Sequence, residues 1–141
     1  MRAKNCCIER LEKFLLPVVD QMGDLQAEAE RWAGLISARH QGDVFYNAAH
    51  AGDRDLTVAV ARCVLSSLSH AVFADVCCGT GIRGIRVALA VPHAKAMLLD
   101  LSLDALDCCR KLVAVPLWAS VAPRCSVVEA ALTAEPSPEA Q

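Results

Sequence analysis

Three closely spaced glycines lie between two apolar segments, in a pattern typical of the binding site of a nucleotide-type ligand. Gly79, Gly81 and Gly84 satisfy the spacing G-x-G-x-x-G within residues 75–86. Positions without a side chain let the backbone turn tightly and approach a ligand at the N-terminus of a helix. This spacing is a weak signal by itself, so the neighbouring residues must decide which ligand it favours.

Two aspartates narrow the chemistry of that ligand. Asp75 lies shortly before Gly79, and a carboxylate there is unfavourable beside a pyrophosphate but suits an ammonium group. Asp100 follows the glycines by about 20 residues, which is the separation at which an acid ending the second strand binds the ribose hydroxyls of a nucleoside cofactor. Together the two acids favour S-adenosylmethionine, which carries an ammonium group and no phosphate, over a dinucleotide.

Two arginines are candidates to bind the carboxylate of such a ligand. Arg54 lies in a short charged segment upstream, and Arg83 lies inside the glycine run. Guanidinium groups bind carboxylates through charge-assisted hydrogen bonds. Either arginine taken alone is equally compatible with a solvated surface position. No Gly-Lys-Ser or Gly-Lys-Thr follows the glycines, which excludes a Walker A phosphate loop.

The elements that position these residues alternate between short apolar runs and helical patterns. Strands are predicted over residues 72–76, 97–101 and 125–128, and helices over residues 82–91 and 103–113. A β-α-β-α-β order is typical of a parallel sheet with right-handed crossovers and a ligand at the carboxyl ends of the strands. We therefore expect an α/β fold with an incomplete Rossmann-like sheet of about three parallel strands.

Helices precede this sheet in the predicted order. Apolar residues recur at helical spacing over residues 6–39, and Pro17 divides them into two predicted helices. Trp32 lies in the apolar stripe of the second helix, and an aromatic residue at such a position is expected to belong to the core. Residues 41–53 lack periodicity and predict a loop, with Asp53 as the cap of the next helix.

These patterns divide the chain into three parts. Residues 1–40 are predicted to form an N-terminal helical segment and residues 41–132 a partial cofactor-binding, Rossmann-like domain. Residues 133–141 predict a disordered tail rich in proline, glutamate and alanine. The length of 141 residues and the hydrophobic content of 55% agree with about one small packed domain.

Charge and hydropathy give no sign of two classes of partner, so a role with RNA must be argued from other features. The formal net charge of −2 provides no basic field of the kind that marks many nucleic-acid-binding proteins. No apolar run reaches the roughly 18 to 20 residues that span a bilayer, so no association with a membrane is expected. The oligomeric state is left open by the sequence.

The eight cysteines predict reduced thiols rather than a disulfide framework or a metal site. Six of them form three adjacent pairs, and adjacent cysteines are poor disulfide partners. No C-x-x-C or H-x-x-x-H spacing typical of zinc binding occurs. We therefore expect an intracellular, reducing compartment and no bound metal.

Four linked elements of the chain resemble one family of enzymes in order and spacing. They are Val44-Phe45-Tyr46-Asn47, Asp53-Arg54-Asp55-Leu56, Gly81-Ile82-Arg83-Gly84-Ile85-Arg86 and Asp100-Leu101-Ser102. This combination closely resembles the tRNA guanine-N2 dimethyltransferase family. The resemblance implies a class I methyltransferase fold, S-adenosylmethionine as cofactor and tRNA as partner. It also implies methylation of the N2 amine of the guanosine at position twenty-six of that tRNA.

The resemblance further implies roles for individual residues. Arg54 and Arg83 match arginines that contact the cofactor, and Asp100 matches the acid that binds the ribose. Glu129 is the candidate for the acid that follows the third strand in the family and reaches the adenine amine. The expected cofactor-binding set is therefore Arg54, Asp75, Gly79, Gly81, Arg83, Asp100 and Glu129.

One element of the family does not occur in this chain. The Asp-Pro-Phe-Gly sequence that the family carries at the end of its fourth strand is absent, and no residue can be assigned a catalytic role. We therefore expect a truncated or divergent tRNA methyltransferase with weak or no activity of its own. A noncatalytic half-Rossmann module that binds a nucleotide or a partner is the alternative, and Asp75 disfavours an NAD-type oxidoreductase domain.

Overall fold

The computed structural model describes residues 23–40 and 43–130. The predicted division near Pro17 and the predicted tail over residues 133–141 lie outside these ranges. Within them, helices lead into a region of alternating strands and helices, in the order that the sequence predicts.

Helix α1 covers residues 23–38 and places a stripe of apolar side chains against the core. Ala29, Ala33 and Ile36 are buried in this stripe, because residues three and four positions apart lie on the same side of a helix. Trp32 is partly buried and packs against the same cluster, which confirms its expected place in the core.

Helix α2, Ala51–Leu65, begins earlier than the sequence predicts. The side chain of Asn47 accepts a hydrogen bond from a backbone N–H of the following 3₁₀ turn, and this turn runs directly into α2. Asp53 is therefore inside the helix, where its carboxylate lies 2.8 Å from the His50 ring. The prediction that Asp53 caps the helix is wrong, because Asn47 caps the turn that leads into it.

Within residues 23–40 and 43–130, three parallel strands form the sheet, in the spatial order β1, β2, β3. They cover Val72–Val76, Lys95–Asp100 and Cys125–Glu129, and the connecting helices are α3, Ile82–Ala90, and α4, Leu103–Val113. All-parallel pairing with helical crossovers is the arrangement of a partial Rossmann-like fold. The predicted α/β class is therefore confirmed.

Strand β2 begins slightly earlier than predicted. The Lys95 N–H donates to the carbonyl of Ala71 at 2.9 Å and so starts the ladder ahead of the apolar run. At the other end, the Ser102 N–H donates to the carboxylate of Asp100, which turns the chain away from the sheet. Backbone pairing therefore sets the start of this strand, and a hydrogen bond to the Asp100 side chain ends it one residue earlier than predicted.

The parallel register brings the carboxyl ends of the strands to one edge of the sheet. Val76 of β1 lies beside Leu99 of β2, and Asp100 lies beside Glu129 of β3. The glycine loop, residues 77–81, leaves β1 at this edge. The loops that follow parallel strands meet here, which is where the sequence predicts the ligand.

The helices bury one face of the sheet. Side chains alternate between the two faces along a strand, and Asp75, Ala96 and Leu98 on the helix-covered face are buried. On the opposite face, Val72 and Val76 are 53% and 40% exposed. Parallel sheets are normally covered on both faces, so this face is an open apolar surface in the part of the chain that the structure describes.

Candidate functional site

A cavity of about 650 Å³ lies at the carboxyl ends of β1 and β2. Its volume is within the range of small-molecule sites, about 300–1,000 Å³. The wall combines the glycine loop with the segment over residues 43–47, one side of α2 and the end of β2. Five of the predicted site residues line it, namely Arg54, Asp75, Gly79, Arg83 and Asp100.

The three glycines of the motif serve two structural purposes. Gly79 and Gly81 have φ angles of 54° and 74°, in the left-handed region that residues with a Cβ disfavour. Gly84 lies in α3, where an added Cβ would overlap the side chain of Leu98 on β2. The spacing G-x-G-x-x-G therefore provides a tight turn at the cavity and close packing of the helix on the sheet.

Asp75 is buried in the cavity wall, with 7% of its surface exposed. Its Oδ2 accepts a hydrogen bond from the Gly84 N–H at 2.9 Å, which attaches the start of α3 to β1. Burial raises the pKa of Asp75 to about 6, because the opposing effects of this hydrogen bond and of the Arg83 charge are smaller. Above this pH the cavity holds a buried negative charge, which an ammonium group would neutralise.

Asp75→Asn is expected to remove a pH-dependent cost of folding. The pKa of Asp75 is raised from 3.8 to about 6, so the folded state binds the proton more tightly than the unfolded state. The stabilising contribution of the Asp75 carboxyl is present below about pH 4 and is lost as the pH rises to about 6. A shift of about two pKa units corresponds to about 3 kcal/mol. The variant should therefore exceed the parent in free energy of unfolding by up to ~3 kcal/mol at about pH 8.

Denaturant titrations of parent and variant at several pH values measure this difference. Other acidic groups titrate in both proteins, so their effects cancel when the two free energies of unfolding are subtracted. A difference that stays constant between about pH 4 and pH 8 would show that Asp75 does not titrate in this way.

Asp100 connects the end of β2 to the glycine loop. Its Oδ2 accepts a hydrogen bond from the Gly79 N–H at 2.9 Å, and its Oδ1 accepts one from the Ser102 N–H at 3.0 Å. Each carboxylate oxygen has a second lone pair. Asp100 can therefore hold the loop and still accept hydrogen bonds from the hydroxyls of a ligand.

The two candidate arginines have different surroundings. Arg83 is partly exposed and donates from Nη1 to the Thr57 Oγ1 at 2.7 Å. Arg54 is 5% exposed and donates from Nε and Nη2 to the two carboxylate oxygens of Glu30, both at 2.7 Å. Among the residues that the structure describes, Arg83 has no carboxylate within salt-bridge distance. Neither arginine is a fully solvated surface charge.

Sequence reasoning does not single out Glu30 and Arg86. Glu30 Oε1 also accepts a hydrogen bond from Arg86 at 2.6 Å, and Arg86 in turn pairs with Asp55. Burial acts to raise the pKa of Glu30, but hydrogen bonds from Arg54 and Arg86 outweigh it, so the pKa lies below its usual value. The sequence offers only an acidic residue beside the apolar stripe of α1, which is equally typical of a solvated helix face.

Two buried thiols pack the glycine loop against α4. The Sγ atoms of Cys78 and Cys109 are 3.4 Å apart, and the Cys109 thiol donates to the carbonyl of Gly79 at 3.2 Å. The hydrogen bond with Cys78 and burial raise the pKa of Cys109, so this thiol stays neutral. Cys109 therefore acts as a small packing group beneath the loop.

Two predicted site residues do not line the cavity. Gly81 lies in the turn and packs against Cys109 and Leu98. Glu129 is exposed at the carboxyl end of β3, beside Asp100 in the register. A contact between Glu129 and an adenine amine therefore stays a prediction.

Residues 23–40 and 43–130 contain neither a cluster of metal ligands nor a helix suited to a membrane. No group of three or more His, Cys, Asp or Glu side chains in these ranges is arranged to hold a metal ion. None of the helices there combines the length and the apolar content that crossing a membrane requires.

Comparisons with known proteins agree on one family. The family model described as N2,N2-dimethylguanosine tRNA methyltransferase matches residues 23–125. A Pyrococcus abyssi protein named tRNA (guanine(26)-N(2))-dimethyltransferase is 36% identical over 89 residues, which cover 63% of this chain and 22% of the relative. A protein of the same name from Pyrococcus horikoshii is 36% identical over 74 residues, which cover 52% of this chain and 18% of the relative. The chain thus spans about a fifth of the length of these curated relatives. No solved structure matches it.

Proposed function

This chain belongs to the N2,N2-dimethylguanosine tRNA methyltransferase family, and we propose that it binds S-adenosylmethionine for methyl transfer to the N2 amine of guanosine 26 in tRNA. The observation that carries the proposal is the meeting of Asp75, Asp100 and the glycine loop at one cavity. These groups come from the ends of two neighbouring strands and the turn between them, which is where this class of fold binds its ligand.

The chemistry of the cavity wall suits the separate parts of this cofactor. Asp75 offers a buried carboxylate to the ammonium group, and pairing a buried charge is strongly favourable compared with leaving it alone. Asp100 offers acceptors to the ribose hydroxyls, and Arg54 and Arg83, which both line the cavity, offer guanidinium groups to the carboxylate. A dinucleotide suits the wall less well, because the charge of Asp75 would face its pyrophosphate.

The residues of this chain serve to bind and orient the cofactor. When bound, the cofactor would supply an electrophilic methyl group on its sulfonium. Transfer to an amine is fast only when the amine is held in line with that methyl group and an acceptor takes its proton. No described residue is assigned to that acceptor role. Since the chain spans about a fifth of its curated relatives, we assign to it the cofactor-binding part of the activity.

A noncatalytic binding module is the second candidate function. Among the described residues, none covers the apolar face of the sheet at Val72 and Val76, and this favours a binding module, because exposed apolar patches mark surfaces that bind partners. Such a module would keep the cavity for a nucleoside ligand without transferring a methyl group.

Calorimetric titration of the full chain with S-adenosylmethionine, its demethylated product and NAD tests the proposal. We expect saturable binding of the first two and none of NAD. The affinity for S-adenosylmethionine should fall about tenfold per unit below about pH 6, because Asp75 must lose its proton to pair with the ammonium group. Saturable binding of NAD alone would overturn the proposal.

An assay of methyl transfer to unmodified tRNA separates the two candidate functions. We expect weak or absent turnover from this chain alone. Any methyl group found on the N2 amine of guanosine 26 would exclude the noncatalytic module. Robust turnover would also show that this chain contains the acceptor site.

A further inference from the structure

Glu30 lies behind the cavity wall rather than in it. It belongs to α1, and its side chain is 15% exposed and does not line the cavity. Its carboxylate nevertheless contacts two residues that do. Arg54 donates two hydrogen bonds to it at 2.7 Å, and the hydroxyl of Tyr46 donates one at 3.0 Å.

Arg54 also contacts the segment that lies beside the glycine loop. Arg54 Nη2 also donates to the carbonyl of Asn47 at 3.1 Å. The carbonyl of Phe45, in the same segment, lies 3.1 Å from the position that a Cβ on Gly79 would occupy. Hydrogen bonds therefore link Glu30 through Arg54 to this segment, and the segment lies close beside the glycine loop at the cavity.

The charges in this region make Arg54 dependent on Glu30. The side chains of Arg54 and Arg86 are 6% and 5% exposed, and both pair with Glu30. Arg86 has a second carboxylate partner in Asp55, whereas Arg54 has no other carboxylate partner among the described residues. A buried charge without a counterion is strongly unfavourable. Loss of the Glu30 charge should therefore displace Arg54 most.

We propose that Glu30 is a positioning residue for the cofactor cavity, which holds the Arg54 guanidinium in the wall where the amino-acid end of the ligand binds. The inference rests on the proposed binding of S-adenosylmethionine. Glu30 acts through Arg54 and Tyr46 and does not touch the ligand itself.

The test compares S-adenosylmethionine with methylthioadenosine, which has the nucleoside but no amino-acid end, in titrations of the full chain. Glu30→Gln should weaken binding of S-adenosylmethionine at least about tenfold, because a charge-assisted pair that orients Arg54 is lost. Binding of methylthioadenosine should change less than about twofold. Glu28→Gln is the matched control, since it removes an exposed ion pair with Arg31 on the same helix, and it should change neither affinity more than about twofold.

A double-variant cycle shows whether Glu30 acts through Arg54. In an Arg54→Gln background, Glu30→Gln should cause less than about a twofold further loss, because the group that it positions is already gone. Glu30→Asp keeps the charge with a shorter reach and should cause an intermediate loss, again selective for S-adenosylmethionine. This variant preserves the test if Glu30→Gln does not fold.

The outcomes separate this inference from the proposed function. Equal weakening of both ligands by Glu30→Gln or Glu30→Asp, or additive losses in the double variant, would overturn the positioning role and leave the proposed function standing. A parent chain that binds neither ligand would overturn both.

Discussion

Gly81→Ala should lower the free energy of unfolding by about 2–5 kcal/mol. Gly81 has a φ angle of 74°, and placing an alanine in the left-handed region costs about 1–2 kcal/mol. The new Cβ would also lie 2.8 Å from Sγ of Cys109 and 3.0 Å from Cδ1 of Leu98, and both side chains are buried. Crowding a packed core adds about 1–3 kcal/mol. The displaced loop should also bind the cofactor more weakly.

Gly52→Ala is the matched control for this substitution. Gly52 lies in α2 and has nothing within 4 Å of an added Cβ, so alanine should raise the free energy of unfolding by up to about 1 kcal/mol through its higher helix propensity. Urea titrations of the parent and both variants measure the two effects. A Gly81→Ala variant within about 0.5 kcal/mol of the parent would show that the loop adopts another conformation.

Asp100→Ala should weaken the binding of S-adenosylmethionine about a hundredfold. Two hydrogen bonds from ribose hydroxyls to a carboxylate contribute about 1.5 kcal/mol each, and about 3 kcal/mol corresponds to a factor of about 100. The substitution also removes the acceptor of the Gly79 and Ser102 N–H groups, which loosens the glycine loop. Methylthioadenosine has the same ribose and should lose as much affinity, in contrast to the selective loss expected at Glu30.

Asp104→Ala controls for the loss of a negative charge near the cavity. Asp104 is in the first turn of α4 with its side chain 63% exposed, and it does not line the cavity. Asp104→Ala should change the affinity for S-adenosylmethionine less than about twofold. Asp100→Asn keeps one acceptor oxygen, so its affinity for S-adenosylmethionine should lie between those of Asp100→Ala and the parent. If Asp100→Ala binds as tightly as the parent in calorimetric titrations, the assignment of Asp100 to the ribose is wrong.

The alternating region after residue 71 could be predicted closely from the sequence. Its apolar runs are short and bounded by turn residues, so β1 and α4 agree with the predicted residues 72–76 and 103–113. The parallel pairing follows as well, because strands that alternate with helices are joined by helical crossovers, and such crossovers connect parallel strands. Local sequence pattern and chain geometry are sufficient to predict this part of the fold.

The start of α2 shows where local pattern is insufficient. Asn47 and Asp53 are both good helix caps by residue type, and the apolar helical pattern that follows Asp53 favours Asp53. In the structure Asn47 caps the turn that leads into α2, while Asp53 pairs with His50. Which of two suitable residues caps a helix depends on where the chain enters it, and the packing of neighbouring elements decides that.

The sequence alone determined the glycine spacing, the acid at the end of β2 and the family resemblance, because these depend on residue types and their spacing along the chain. Only the tertiary structure decided that Arg54 is buried against Glu30, 24 residues away, and that Arg86 meets the same carboxylate from 56 residues away. It also decided the raised pKa of Asp75, because burial under α3 removes water from that carboxylate. Charge pairing and desolvation depend on which distant segments pack together, and no local pattern records this.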